Sequence, residues 1–188
     1  MLIFGDTKQT VLVNGIYPEA SKDIEAKVKD ALLSTVYNAS QNENPLDAAT
    51  FTIDITGTDF KLIKYISSSL VYSTDGKIPT EKPTLIVGNS IAKVPVENQK
   101  KYAEERLKKL PGGEHNVVRE IKEITIDNLK GFEIIGDGKT KDDKAELIYQ
   151  VMLFTDEGGY YILVGQAKEE FEKNLETFKK IAKTFKRK

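Results

Sequence analysis

The chain contains no cysteine. This absence excludes disulfide bonds, thiolate nucleophiles and zinc sites built from cysteine. Histidine is almost as scarce, because His115 is the single one, so one chain cannot form a metal site with two histidine ligands. His115 follows a Gly-Gly pair and has only Glu114 beside it as an orienting partner, which indicates a solvated loop residue rather than a general base. We therefore expect no metal site.

Long apolar runs and a surplus of charge of one sign are also absent. The longest apolar runs, such as Tyr160 to Val164, are far too short to span a bilayer. The 28 basic and 29 acidic side chains nearly cancel, whereas a protein that binds duplex nucleic acid usually carries a basic surplus or patch. We therefore expect no transmembrane segment and no nucleic-acid partner.

The loops that mark common catalytic and cofactor sites are missing as well. Gly136-Asp137-Gly138 does not extend to a dinucleotide-binding or phosphate-binding loop. Ser67-Ser68-Ser69 lacks the glycines of a nucleophile elbow. Asp137, Asp142 and Asp143 lack the spacing and the terminal glutamate of a calcium-binding loop. We therefore expect no cofactor and assign no catalytic residue.

The length of 188 residues is enough for one good core and rather short for two. We predict one domain over residues 1–188, in which residues 1–45 form an N-terminal β-β-α extension packed on a core of residues 46–188. The polar stretch from Asn38 to Pro45 is interpreted as a loop within this domain.

The stretch with the clearest secondary-structure pattern runs from Glu146 to Lys186. Glu146 to Phe154 is apolar on both alternating faces, which predicts a strand covered on both sides. A Gly-Gly turn and the aromatic, β-branched run from Tyr160 to Val164 predict that the two strands form a hairpin. Glu169 to Phe185 is predicted to be a helix that lies across the sheet. Its apolar stripe consists of Phe171, Leu175, Phe178, Ala182 and Phe185.

Together with this stretch, the pattern of the whole chain predicts ten strands and three helices in the order β-β-α-β-β-β-β-α-β-β-β-β-α, with two of the strands between Phe60 and Ser73. The other predicted helices are Ser21 to Tyr37, capped by Ser21, and Val96 to Leu110. The other predicted strands are Leu2 to Phe4, Thr10 to Val13, Thr50 to Ile55, Phe60 to Ser73 with a break near Ile66 to Ser69, Thr84 to Val87, Val117 to Ile126 and Phe132 to Ile135. Short turns between successive strands require antiparallel neighbours. The predicted fold class is α+β, an antiparallel meander flanked by helices as an α/β/α sandwich.

The stretch from Thr84 to Phe185 resembles the PsbP-like, Mog-type superfamily. Tyr160-Tyr161-Ile162-Leu163-Val164-Gly165-Gln166 and a final helix that closes on Phe178-Lys179-Lys180-Ile181-Ala182-Lys183-Thr184-Phe185 carry the resemblance. That superfamily includes the photosystem II subunit PsbP and small bacterial lipoproteins. The resemblance implies a binding or assembly domain without catalysis. It also favours an extracytoplasmic location with a leader removed ahead of Met1, while a cytoplasmic location stays open.

Two functions therefore remain. The first is a non-enzymatic binding or assembly module for an unknown protein or small ligand, of unknown oligomeric state. The second is a small carboxylate-dependent enzyme, for example a glycoside-processing one, which would need two carboxyl groups roughly 5 to 10 Å apart in a cleft. Aromatic residues on strands with polar neighbours are typical of ligand clefts. The candidate binding residues are Tyr65, Tyr72, Asn89, Arg106, Tyr149 and Tyr161.

Overall fold

The structure, a computed structural model, describes residues 1–7, 10–17, 19–37, 44–90, 92–140 and 142–188. The chain separates into two compact units, Met1–Glu43 and Asn44–Lys188. The proposed packing of an N-terminal extension on the core stays a prediction. The loop predicted from Asn38 to Pro45 lies mostly outside the described residues.

The first unit contains a hairpin and a short helix. Strands β1 (Leu2–Gly5) and β2 (Thr10–Val13) pair antiparallel, and a 3-10 stretch (Glu19–Ile24) leads into helix α1 (Glu25–Leu33). The helix predicted from Ser21 to Tyr37 is therefore too long at both ends. Ser21 has a non-helical backbone. The hydroxyls of Ser34 and Thr35 donate to the Ala31 carbonyl, at 2.9 and 3.4 Å, and such local bonds compete with the helical pattern.

The second unit is built around a seven-stranded sheet in which every neighbouring pair is antiparallel. Its strand order is β4-β5-β6-β10-β9-β8-β7, with a separate β3–β11 pair beside it. The strands are β3 (Phe51–Thr52), β4 (Lys61–Ile66), β5 (Ser69–Ser73), β6 (Thr84–Ser90), β7 (Val117–Ile126), β8 (Leu129–Lys139), β9 (Ala145–Phe154), β10 (Tyr160–Ala167) and β11 (Lys186–Arg187). The helices are α2 (Pro45–Ala48), α3 (Gln99–Lys108) and α4 (Phe171–Ala182), with 3-10 turns at Val96–Asn98 and Gly113–His115. The predicted α+β class is confirmed.

Two meanders, β4–β5–β6 and β7–β8–β9–β10, meet where β6 pairs with β10. The predicted hairpin is confirmed, with Tyr160 opposite Phe154. The predicted break near Ile66 to Ser69 is the turn of a hairpin, because Ser67 and Ser68 take positive φ values of 49° and 60° and reverse the chain. The change of phase in the sequence coincides with a register irregularity between Leu62 and Lys64 in β4.

The strand predicted from Thr50 to Ile55 is wrong in length and in place. Strand β3 has only two residues, and it pairs with the C-terminal β11 rather than with the main sheet. The amide of Asp54 donates to the Thr184 hydroxyl at 2.8 Å, and the Asp54 carboxylate accepts from the Thr56 amide at 2.8 Å. These bonds turn the chain away from the strand direction, as aspartate side chains commonly do.

Helices cover both faces of the sheet. Helix α4 packs against β9 and β10 on one face, and helix α3 packs over β7, β8 and β9 on the other. We refer to these as the α4 face and the α3 face. The buried core of the α4 face includes Leu70, Tyr72, Val87, Tyr149, Val151, Leu163, Phe178, Ile181 and Phe185. The buried core of the α3 face includes Ala103, Leu107, Ile134, Ile148, Met152 and Val164.

Helix α4 docks through the ring of Phe178. A Cβ atom added to Gly165 on β10 would lie 2.6 Å from this ring, so the ring rests directly on the strand backbone. The same ring stacks on Tyr149, the cross-strand partner of Gly165, with ring centroids 6.0 Å apart. The absence of a side chain at Gly165 thus creates the space that the helix needs.

The apolar stripe predicted for this helix is only partly correct. Phe171 begins the helix and is 39 % exposed, so it does not belong to the buried stripe. Asn174 and Ile181 are buried in addition to Phe178 and Ala182. Phe185 lies beyond the end of the helix but is buried against Phe51, with ring centroids 5.8 Å apart.

Two buried side-chain amides bind helix α3, and one of them, Asn116, donates from Nδ2 to the Leu107 carbonyl at 2.9 Å. The side chain of Gln150 on β9 is fully buried, and its Nε2 donates to the Ala103 carbonyl at 2.8 Å. Its Oε1 is the one buried side-chain polar atom without a hydrogen-bond partner among the described residues. An unsatisfied buried acceptor of this kind costs on the order of 1–3 kcal/mol.

We expect Gly165→Ala to lower the free energy of unfolding by about 1–3 kcal/mol, because the added methyl group overlaps the Phe178 ring. Denaturant unfolding measures this loss. The matched control is Gly159→Ala, where the added Cβ would come no closer than 3.3 Å, to the Thr155 hydroxyl. Equal losses in both variants would show that the ring does not rest on Gly165.

Gln150→Met should change the free energy of unfolding by less than about 1 kcal/mol, because it also removes the unsatisfied Oε1. In contrast, Gln150→Glu should lower it by about 3 kcal/mol or more at pH 7, since it buries an unpaired charge. Part of this loss should be recovered at pH 4, where the new carboxyl can protonate. Unfolding curves at both pH values test the pair, and a glutamate variant as stable as the methionine one would contradict the burial.

Candidate functional site

The structure does not gather the six candidate binding residues into one place. Arg106 lies on helix α3, on one side of the sheet. The other five candidate side chains lie on the opposite side, the α4 face: Tyr65, Tyr72, Asn89, Tyr149 and Tyr161. Within this group Asn89 and Tyr161 are direct cross-strand partners. The sequence alone could not assign α3 and the tyrosines to opposite faces.

Two of the tyrosines are part of the core. Burial raises the pKa of Tyr72 to about 12. Burial, and then the hydrogen bond that the Tyr149 hydroxyl donates to Glu133 Oε1 at 2.7 Å, raise the pKa of Tyr149 as well. Tyr65 and Tyr161 are half-buried against the same core. The contacts described for these four residues are internal packing contacts and hydrogen bonds, including the one from the Tyr65 hydroxyl to the Ala48 carbonyl at 3.4 Å. Their role in binding stays a prediction.

A polar cleft of about 590 Å³ opens on the α3 face, at the end of the sheet where β8 passes into β9. Glu146 lies at this end of β9, on the same side as Ile148 and Met152, so the sheet aims its side chain at the cleft. We call this the Glu146 cleft. Its described lining residues are Glu81, Pro111, Gly112, Lys139, Thr140, Asp142, Glu146, Gln166 and Lys168.

The Glu146 carboxyl is half-buried. Its pKa is raised, first by burial and also by the charge of Glu81, while the charge of Lys168 opposes the rise. Within the described ranges no hydrogen bond or ion pair reaches this carboxyl. Burial that is not compensated by a partner disfavours the charged form, which explains the direction of the shift.

Both lysine ammonium groups of the cleft form ion pairs with carboxylates other than Glu146. Lys168 Nζ lies 2.6 Å from Glu81 Oε2, and this hydrogen bond and charge lower the pKa of Glu81. Lys139 Nζ lies 2.6 Å from Asp143 Oδ1. In the part of the chain that the structure describes, Glu146 and Asp142 therefore form no ion pair. Lys141 lies outside that part.

This arrangement can accept hydrogen-bond donors from a ligand. A partly desolvated carboxylate binds ammonium, guanidinium or hydroxyl groups more strongly than one in water. Gln166 and Thr140 add neutral donors and acceptors to the lining. The cleft thus combines one half-buried acid and one exposed acid, neither of them paired among the described residues, with polar groups that could orient a bound molecule.

A second cleft, of about 370 Å³, lies beside the N-terminus of α4. Four of its charged groups form two pairs: Lys82 Nζ lies 2.7 Å from Glu169, and Lys173 Nζ lies 3.1 Å from Glu170. The other two charged lining residues, Asp59 and Lys180, have opposite signs, so this cleft has no net unpaired charge, whereas the Glu146 cleft has two carboxylates without an ion pair among the described residues. Over the ranges that are described, no group of three or more His, Cys, Asp or Glu side chains could hold a metal, and no helix is long and apolar enough to cross a membrane.

Glu146 and Glu81 were missed by the sequence analysis. One signal was present, because Glu146 opens a strand that is otherwise apolar on both faces, and a charge in that position lies at the edge of a core. No comparable signal marks Glu81, which lies in an irregular proline-containing segment. The two residues line one cleft because β10 pairs with both strands: Ala167 pairs with Leu147, directly after Glu146, and Gln166 pairs with Thr84, three residues after Glu81.

No family model matches the chain and no curated protein matches it. Among solved structures it is similar to LpqN, involved in cell envelope biogenesis of Mycobacterium tuberculosis, with a TM-score of 0.53 and 18 % identity over 74 % of this chain and 85 % of that one. It also matches CyanoP, the PsbP protein of Synechocystis sp. PCC 6803, with a TM-score of 0.48 and 9 % identity over 81 % and 99 % of the two chains.

A further match is PA94 from Pseudomonas aeruginosa, a protein of unknown function and putative regulator, with a TM-score of 0.46 and 11 % identity over 98 % and 94 % of the chains. At these identities the similarities concern the fold alone, and the similarity to LpqN is the one that supports it. For the fold alone the resemblance is confirmed: the chain shares the fold of LpqN, without a sequence family.

Proposed function

We propose that the chain is a non-enzymatic binding or assembly module that takes its ligand into the Glu146 cleft. The observation that carries the proposal is the half-buried Glu146 carboxyl, which has no partner among the described residues. A partly desolvated and unpaired carboxylate destabilises the free protein. Groups of this kind are commonly retained at binding sites, where a ligand supplies the missing partner.

We further propose that the module works outside the cytoplasm. LpqN, which shares the fold, is described as involved in cell envelope biogenesis. The absence of cysteine is compatible with either an oxidising or a reducing compartment. Fractionation of source cells, with the protein detected by antibody, tests the location: the proposal expects the protein in the envelope fractions.

The second candidate, a small carboxylate-dependent enzyme, is favoured by one observation. Glu81 and Glu146 line the same cleft, and the pKa of Glu81 is lowered while that of Glu146 is raised. Opposite shifts of this kind are typical of an acid and a base that work together. Binding remains the better-supported function, because Glu81 is held by Lys168 at 2.6 Å.

We expect Glu146→Gln to make the folded protein more stable at pH 7 but not at pH 4. The raised pKa means that the folded state holds the proton more tightly than the unfolded state, so wild-type stability falls as the pH rises from the unfolded pKa through the folded one. Glutamine removes this loss. Urea unfolding at pH 4, 5.5 and 7 measures the difference. The matched control is Glu157→Gln, an exposed glutamate in the β9–β10 turn, which should follow the wild type.

The same variants test binding. Immobilised wild type, E146Q and E157Q are each incubated with an envelope extract of the source organism, and bound molecules are identified by mass spectrometry. We expect one ligand to be retained by the wild type and by E157Q and lost from E146Q. Equal retention by all three would contradict a role for the cleft. A ligand that the wild type returns chemically altered would favour the enzyme instead.

A further inference from the structure

The α3 face is only partly covered by helix α3. That helix packs over β7, β8 and β9, while isoleucines of β4 and β6 stay open on the same face. Ile66 is 51 % exposed and Ile86 is 37 % exposed. Ile66 pairs with Ser69, next to the inward-facing Leu70, so its side chain points to the α3 face. We call Ile66, Ile86 and the half-buried Ile162 the isoleucine strip.

The register places Ile86 of the strip and the Glu146 cleft on opposite sides of β10 and at different levels along it. Ile86 pairs with Val164 on β10. Glu146 precedes Leu147, which pairs with Ala167, so Glu146 lies level with residue 168. Along the strand direction Ile86 and Glu146 are therefore four residues apart, about 13 Å. Because β6 and β9 lie on opposite sides of β10, they are also two strand spacings apart, and the direct separation is about 16 Å. Gln166 and its partner Thr84 lie between them.

The charges that line the Glu146 cleft determine which chemical group of a ligand binds there. Its lysines already pair with Glu81 and Asp143. The carboxylates without a partner in the described ranges, Glu146 and Asp142, leave a site for a cation. The neighbouring strip offers apolar surface and no charge. A ligand complementary to both carries a cation at one end and an aliphatic group about 16 Å away.

We propose, resting on the proposed function above, that the ligand is an extended polypeptide segment with an apolar side chain and a lysine or arginine four residues apart. The basic side chain enters the Glu146 cleft, and the apolar side chain lies on Ile86. Four residues of extended chain cover about 13 Å, and the long basic side chain covers the rest of the distance to Glu146. Both side chains lie on one face, because strand side chains alternate. A small polyamine would satisfy the cleft and leave the strip uncovered.

The probe is the synthetic peptide acetyl-Thr-Leu-Thr-Ser-Thr-Lys-Thr-amide, titrated into nitrogen-15-labelled protein and followed by NMR. We expect the amides of Gln166, Lys168 and Ile86 to shift. Glu146→Gln should weaken binding by about 5- to 10-fold, as expected for loss of a partly buried charge pair. Replacing the peptide lysine by norleucine should weaken wild-type binding by a similar factor and make E146Q indistinguishable from the wild type.

Ile86→Ser should weaken binding of the lysine and norleucine peptides alike, by about 3- to 10-fold for the apolar area lost. E157Q is the control that should bind as the wild type does. The spectra of the free variants show directly whether each one is folded.

The proposal fails if no amide around the cleft shifts, or if the shifts occur elsewhere. Equal affinities for the lysine and norleucine peptides would reject the cationic class. Spermidine that binds as tightly as the peptide would reject the polypeptide. Loss of the natural ligand from E146Q in the extract experiment would still support the proposed function in all of these cases.

Discussion

The contact between Phe178 and the bare backbone of Gly165 sets the position of helix α4 on the sheet, and the chain segments that pack beside this helix depend on it. The ring could not stack on Tyr149 if β10 carried a side chain at this point. Glycine inside a strand costs conformational entropy, and burial of a large aromatic ring offsets that cost. Once α4 is fixed, the chain that leaves it brings Phe185 onto Phe51. The short β3–β11 pair depends on this same placement.

The opposite face is covered less completely, for a reason of dimensions. Seven strands at roughly 4.8 Å spacing form a sheet about 29 Å wide, whereas one helix with its side chains is about 10 Å across. Helix α3 lies over β7, β8 and β9, where Gln150 bonds to the Ala103 carbonyl. The isoleucine strip on β4, β6 and β10 and the end of β9 at Glu146 therefore remain open. The location of the candidate site follows from the place where this single helix docks.

Local patterns predicted what depends on neighbours in the chain. The hairpin of β9 and β10 could be predicted because both strands and their Gly-Gly turn are contiguous. The bounds of α4 were close, but Phe171 was wrongly placed in the buried stripe, since helical periodicity does not say how far the sheet extends beneath the helix. The prediction of one strand from Thr50 to Ile55 was wrong, because alternation of apolar and polar residues cannot identify the partner strand. The partner of β3 is β11 at the C-terminus, more than 130 residues away.

The sequence by itself determined the fold class, the antiparallel order within each meander and the absence of cysteine chemistry and long apolar helices. These properties depend on composition, on turns and on the period of apolar residues, all of which are local. Only the tertiary structure decided that β6 pairs with β10, that Arg106 and the tyrosines lie on opposite faces, and that Glu81 and Glu146 share a cleft. Each of these depends on contacts between distant segments, whose energies come from the packing of two helices on one sheet rather than from any pattern along the chain.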